Sequence, residues 1–481
     1  MASETTPLVT PPASAATSAA VALRKNRLAI GFAAAVVLFL ATAGSLWSVS
    51  HKEDAPQPID DAFFCGVKNF ETEYVKLTNK KDDHYFYWFV QSSSTEPDKD
   101  PLVLWLTGGP GGPGTLGLLL ENGPCIIQPD STGKFNKYAW TNEANVIWLD
   151  QPTNVGFSYG SAEDADSTGE NVGENIYWFL QGFLANHPEF AEREFFITGE
   201  SYGGHYVPAA AHFIWQQNKL QKKENKKINL KGIAIGNGLT DPAVQNPHYM
   251  DMVDNAYNIT FVNASQLAEM KVAAAECERL MAAAGTNTAQ LVDAESYCQD
   301  HVNAPIDAAK RNPYDIRESC DKEQVSECIP TDHIGKYLER SHVREFLNVS
   351  DKANKWQMVN FDVNTDFFLS GDTELSYSPY VADLLNDDIR VLIYAGDADL
   401  ACNWYGNQAW TKALEWTGKE GFNSAEERAF ITSAGVNAGV VRSFDNQFTF
   451  LRVFNSGHMV PQHQPEVALD MINKFFKNQP L

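Results

Sequence analysis

Gly199-Glu200-Ser201-Tyr202-Gly203 is the stretch of this 481-residue chain best suited to covalent chemistry. A serine in the pattern G-x-S-x-G is the form of a nucleophile held on a sharp turn. The glycines let the backbone turn tightly and let the next helix pack close. Such a turn lifts Ser201 Oγ into a pocket and leaves the N–H of Tyr202 beside it as an oxyanion donor. A serine nucleophile also needs a base and an acid that orients the base, and in chains with this turn they follow it in that reverse order: acid, then His. Gly396-Asp397-Ala398-Asp399 and Asn455-Ser456-Gly457-His458 supply them in sequence. Spacing does not choose between Asp397 and Asp399. A glycine-rich loop, Thr107-Gly108-Gly109-Pro110-Gly111, offers N–H groups for the other half of an oxyanion hole, with Gly109 the foremost. Each pattern alone also fits an ordinary turn or loop; the ordered set points to acyl transfer.

The elements that must position these residues are legible as short apolar runs. Phe195 to Thr198 reads as the strand before Ser201, and His205 to Lys219 as the helix after it. Further strands are expected at His84 to Val90, Leu102 to Leu106, Asn145 to Leu149, Gly232 to Ile235, Val391 to Tyr394 and Phe448 to Phe454. Helical stretches such as Asn171 to Asn186 lie between them. Short buried strands alternating with helices predict an α/β layer structure with a mostly parallel sheet. The Asp and His loops then fall just past strand C-terminal ends, where such sheets bind ligands. Residues 243 to 372 differ in composition, with four cysteines, three glycosylation sequons (Asn258, Asn263, Asn348) and an Ala-rich helix, Ser265 to Ala284. They read as an insert capping the site.

The net charge of −24 excludes nucleic acid as a partner, because nothing would neutralise phosphates. It reads first as a solvated surface, and second as a means of staying charged in an acidic compartment. The 44% apolar content allows a sizeable core. Seven cysteines without a C-x-x-C pair argue against zinc and leave one thiol over. Residues 1–27 form an Ala/Ser/Thr/Pro-rich tail, expected to be disordered and cytosolic. Residues 28–48 hold an uncharged run, Leu28 to Trp47, behind Arg24, Lys25 and Arg27. The run is long enough to span a bilayer, and the basic cluster would hold its N-terminal side in the cytosol. The reading is a single-pass anchor; a signal peptide cut after Ala43 is the alternative. A polar linker, 49–62, precedes a catalytic domain over 63–481.

Six ordered blocks carry a resemblance: LVLWLTGGPGG, WLDQPTNVGFSYG, ITGESYGGHYVP, GIAIGNGLTDP, VLIYAGDADLACNWYGNQAW and LRVFNSGHMVPQHQP. Over roughly residues 65 to 481 the chain resembles the serine carboxypeptidase family, close to its vacuolar and lysosomal members. The resemblance implies an α/β-hydrolase fold with a helical cap, release of C-terminal amino acids from peptides or proteins, and no metal or cofactor. It implies Asp399 as the acid, three residues before Cys402-Asn403-Trp404. It also implies a hydrogen-bonding group for the substrate carboxylate at Trp105, Gly108, Glu121 and Glu200, with Thr107 where the family has asparagine. Glutamates facing a carboxylate must be protonated to donate, which predicts an acidic working range. The family's Cys-Ser-Ser after the glycine loop is Gly112-Pro113-Gly114 here, and its disulfide partner near Asn360 is Val359, so both ends of that bridge are missing. The resemblance matches Cys320–Cys328 to a family bridge and Cys402 to an unpaired cysteine. Cys277–Cys298 is expected within the cap, and Cys65 with Cys125 by elimination.

These readings converge on a serine carboxypeptidase of the secretory pathway, facing the vacuolar or lysosomal lumen or the exterior and anchored by one helix. A homodimer is compatible with the sequence. An acyltransferase on the same scaffold is the alternative enzyme, kept open by the altered glycine loop; a non-catalytic binding or stabilising partner is the third class, opposed by the intact Ser, Asp and His.

Overall fold

The computed structural model describes residues 63–481 apart from 221, 223–224 and 323–324. The tail, the apolar run and the linker lie outside the described residues; among the described residues no helix is long and apolar enough to cross a membrane.

Ten strands form one sheet: β1 (Phe70–Lys76), β2 (His84–Val90), β3 (Leu102–Leu106), β4 (Asn145–Leu149), β5 (Phe195–Glu200), β6 (Leu230–Gly236), β7 (Arg390–Gly396), β8 (Arg428–Ile431), β9 (Asn437–Phe444) and β10 (Phe448–Val453). Their order is β1-β2-β4-β3-β5-β6-β7-β10-β9-β8. From β4 to β10 neighbours run parallel. The outer strands on both sides pair antiparallel. The parallel centre was legible because its strands are buried on both faces and read as unbroken apolar runs. β1, β8 and β9 escaped the sequence reading: they lie toward the edges and carry charged or exposed residues such as Glu71, Glu73 and Arg428.

Successive side chains of a strand point to opposite faces. Leu102, Leu104 and Leu106 of β3 therefore join Ile197 in a core under α2 (Gly169–Asn186) and α3 (Gly203–Leu220). Val103 and Trp105 join Phe196 in a second core, under α1 (Gly114–Leu120) and α8 (Pro465–Phe476). Between β6 and β7 the chain leaves the sheet and forms α4 (Ala264–Ala284), α5 (Thr288–Cys298) and α6 (Phe361–Ser370), then returns through α7 (Ser378–Asn386). Asn263 caps α4 by accepting from Gln266 N, and Gln266 answers with its side chain. A disulfide joins α4 to α5 through Cys277 and Cys298. Met252, Met270, Met281, Leu291 and Ile316 form a third core with Ala398 and Leu400, so this segment packs on the loop that carries Asp399. Disulfides also join Cys65 to Cys125 and Cys320 to Cys328, while Cys402 is free. Asn258, Asn263 and Asn348 are all exposed.

Candidate active site

Ser201 sits at the end of β5 with φ +63°, a left-handed conformation unusual for serine. Strain of this kind persists only where surrounding structure enforces it. Here Ser201 N donates to Gly236 O (3.1 Å), while Ser201 O accepts from Gly204 N (2.9 Å) and Leu239 N (3.0 Å). Glycine is obligatory beside it: a Cβ on Gly204 would lie 2.3 Å from Leu239 O, and one on Gly199 2.6 Å from Leu106 O. Close approach to the neighbouring backbone therefore accounts for Gly199 of the motif and for Gly204 just after it, while the left-handed turn falls on Ser201 itself.

The loop after β7 brings Asp399 to His458, whose Nδ1 lies 2.8 Å from Asp399 Oδ2. A carboxylate only accepts, so Nδ1 carries a proton, which makes Nε2 the basic nitrogen of the neutral ring. Asp399, fully buried, also accepts from Asn237 Nδ2 (2.8 Å), Cys402 N (3.1 Å) and Ala401 N (3.2 Å). Asp397 takes no part: it accepts from Tyr257 Oη, lies 3.6 Å from Arg452 Nη2, and burial pushes its carboxyl up. His458 N donates to Tyr314 O (2.8 Å), anchoring the histidine loop on the inserted segment. Burial pushes the Cys402 thiol well above its ordinary range, so it is no rival nucleophile.

The glycine loop lies against the elbow. A Cβ on Gly108 would come within 2.2 Å of Tyr202 N, and Gly109 has φ +116°. Among the described residues neither the Gly109 nor the Tyr202 N–H has a recorded acceptor. Gly109 borders a cavity of about 340 Å³, whose wall also includes Ser201, the neighbour of Tyr202, with His458, Gly108, Thr107 and Glu200. Glu121 and Trp105 are not on that wall. Trp105 is fully buried, stands edge-on to Trp140, and donates from Nε1 to Thr107 Oγ1 (3.1 Å). Of the five residues assigned to the carboxylate, three face the cavity and two stand behind them.

Glu121 is the one behind Glu200, and the two carboxyls are hydrogen-bonded to each other. Burial pushes Glu121 up to about 7. Burial, then the charge of Glu121, pushes Glu200 well above the ordinary carboxylate range. A carboxyl–carboxyl hydrogen bond requires a proton on one partner. An oxygen of each remains buried without a partner, Glu121 Oε2 and Glu200 Oε2.

Two residues of this machinery were not singled out from the sequence. Asn237, with φ +39°, donates to Asp399 and accepts from Gly396 N (3.0 Å), tying β6 to β7. Asp150 accepts from Thr115 N (2.9 Å), Thr115 Oγ1 (2.8 Å) and Phe157 N (3.0 Å), fixing the start of the helix that ends beside Glu121; burial pushes it up to about 6. Both stand in blocks whose apolar neighbours signal strands, and only contacts across the fold give them a role.

A family model described as serine carboxypeptidase matches residues 66–478. The chain belongs to the serine carboxypeptidase family. Membership makes it a serine-type hydrolase that releases residues from peptide C-termini. The carboxypeptidase is 40% identical over 408 residues to carboxypeptidase Y homolog A of Sclerotinia sclerotiorum, covering 84% of this chain and 72% of that one. It is 39% identical over 406 residues to a serine carboxypeptidase-like protein of Oryza sativa subsp. japonica (84% and 91% covered), and 40% identical over 400 residues to carboxypeptidase Y of Candida albicans (82% and 71%). Its fold is similar to that of Kex1, a prohormone-processing carboxypeptidase from Saccharomyces cerevisiae, with a TM-score of 0.74 at 24% identity over 85% of this chain and 91% of that one. It is an α/β-hydrolase fold with helices inserted before β7.

Proposed function

We propose that Ser201 is the nucleophile, His458 the general base and Asp399 its orienting acid. The observation that carries this reading is the Asp399–His458 hydrogen bond of 2.8 Å, with His458 and Ser201 on one cavity wall. Ser201 Oγ forms a bond to the scissile carbonyl carbon and passes its proton to His458 Nε2. The oxyanion is held by the N–H groups of Gly109 and Tyr202. As the C–N bond breaks, His458 returns the proton to the departing amine. Water then attacks the acyl-enzyme by the same route and releases the shortened peptide. Protonated Glu200 and the Thr107 hydroxyl donate to the substrate's terminal carboxylate, with Glu121 and Trp105 holding them from behind. The enzyme therefore works best at mildly acidic pH.

The segment 243–372 acts as the cap. Three disulfides fit an oxidising compartment, and the exposed sequons are glycosylated there. We assign the enzyme to the lumen of the secretory pathway or vacuole, held by the Leu28 to Trp47 run. A mature N-terminus at Gly44 would instead mean a cleaved signal. The central test is a phosphonylating reagent with a blocked dipeptide substrate. Labelling of Ser201 alone, with matching loss of C-terminal amino acid release, is expected; labelling elsewhere would falsify the assignment. An alcohol acceptor in the same assay separates transfer from hydrolysis.

A further inference from the structure

Three peptide units of the chain are linked in a line that ends at the oxyanion position. Asn360 N donates to Gly111 O (2.9 Å). The N–H of the same peptide unit belongs to Gly112 and donates to Gly108 O (2.8 Å). The N–H of that next unit belongs to Gly109. A trans peptide unit is planar, and its C=O and N–H point in opposite directions. Each hydrogen bond therefore orients the following N–H, and the last one, on Gly109, is aimed away from Gly112 with no acceptor among the described residues.

The far end of this line is itself firmly held. Asn360 Oδ1 accepts from Asp362 N (3.0 Å) and Val363 N (3.4 Å) and so caps α6, while Asn360 Nδ2 donates to Asn154 O (2.9 Å). One turn on, Asn364 Nδ2 donates to Pro110 O (3.1 Å). A Cβ on Gly111 would lie 2.7 Å from Asn360 O, so the close approach requires glycine. Val359, Phe361 and Asn364 also form part of the cavity wall.

We infer that the backbone N–H of Asn360 is a positioning group for catalysis: through the Gly111–Gly112 and Gly108–Gly109 peptide units it aims and polarises the Gly109 N–H at the oxyanion. Hydrogen bonds in a line strengthen one another, so the donor at the end is a better one than an isolated amide. Asn364 supports the same loop through Pro110. The segment that walls the substrate cavity and the loop that stabilises the transition state thus share one frame. The inference rests on Gly109 being an oxyanion donor, as proposed above.

The test compares Asn360→Ala with Asn360→Pro. Both lose the cap and the bond to Asn154; only proline loses the N–H, and φ of −82° at this position is within its reach. The readouts are kcat and KM on a blocked dipeptide, inhibition by a peptide aldehyde that adds to Ser201, and Tm. Asn360→Ala is expected to lower Tm and leave kcat within about threefold of wild type, since the donor remains. Asn360→Pro is expected to lose a further factor of about 10 in kcat and in aldehyde affinity, with KM within about twofold, because a misaimed donor weakens only the transition state. Equal kcat and aldehyde affinity in the two variants would overturn the relay. If Asn360→Pro does not fold, Asn364→Ala carries the test, with an expected loss of about threefold in both readouts; wild-type aldehyde affinity there overturns the inference. Failure of the aldehyde to attach to Ser201 in the wild type would instead strike the proposed mechanism.

Discussion

Asp399 and Glu200 are both buried carboxyl groups close to one cavity, and they differ in what surrounds them. Around Asp399 stand N–H donors: Asn237 Nδ2, the backbone of Ala401 and Cys402, and His458 Nδ1. Around Glu200 stands another acid, Glu121, and one oxygen of each has no partner. A ring of donors suits a group that accepts throughout the reaction. A carboxyl facing a carboxyl keeps a proton, and so becomes a donor itself. The same side-chain chemistry is thus set in two opposite environments: one carboxyl holds the His458 imidazole, and the other, in the mechanism we propose, donates to a negative charge on the substrate.

Substitutions that break one end and spare the other sharpen this contrast. The largest loss is expected for Ser201→Ala, at least about 10⁴-fold in kcat on a blocked dipeptide, because no other group forms the acyl-enzyme. Asp399→Asn should lose about 10⁴-fold by removing the acceptor that fixes the His458 tautomer. Asp397→Asn, two residues away on Tyr257 and Arg452, should lose less than about tenfold on the same substrate. Similar losses in the two Asp variants would mean that the hydrogen bond to His458 does not identify the acid.

The carboxylate end is probed by pH. Burial raises Glu121 to about 7 and Glu200 well above the ordinary carboxylate range, so the pair holds its protons in mild acid and Glu121 gives its proton up as pH rises through about 7. For a peptide with a free C-terminus, kcat/KM should fall about tenfold between pH 6 and pH 8 relative to the matching peptide amide, which carries no charge there. Glu200→Gln donates at every pH and should bring the two profiles together. Parallel profiles in the wild type would remove the glutamates from carboxylate recognition. Thr107→Asn is a smaller change: it puts an amide where a hydroxyl now accepts from Trp105, and should raise kcat/KM for free peptides roughly threefold, the scale of one net hydrogen bond.

Stability should follow the Glu200 pattern rather than the Asp399 one. Burial pushes Asp83, Glu121 and Glu374 up to about 7 and Asp150 to about 6, and Glu200 and Glu295 well above the ordinary range. A carboxyl with a raised folded-state pKa contributes stability that is fully present below its unfolded value and lost as pH rises through the folded one. Asp164, pushed down to about 2, acts only in stronger acid. Buried His205 and half-buried His463 are pushed down and oppose the trend below about 6.5, but the raised carboxyls outnumber them. Tm should therefore be higher at pH 5.5 than at pH 8 by a few degrees, roughly 2–4 °C for each kcal/mol. A Tm that rises with pH over this interval would contradict the assignment of neutral, protonated carboxyls.

Local pattern alone determined the elbow, the strands beside it and the order of Ser201, Asp and His458, because glycine spacing and apolar runs are imposed by sterics and burial over a few residues. The family blocks pointed further, to Asp399 and to the glutamates. Tertiary structure alone decided which carboxyl meets which partner. Asn237 reaches Asp399 across 162 positions and Asn360 reaches Asn154 across 206, and no periodicity records such pairings. It also set Glu121 and Trp105 behind Glu200 and Thr107, because a helix end and a buried strand face put them there. The edge strands β1 and β8, with β9 next to β8, belong with these: their charged and exposed positions hide the strand signal until a neighbouring strand supplies the hydrogen bonds. Residue type states what a group can donate or accept, and the folded surroundings decide which it does.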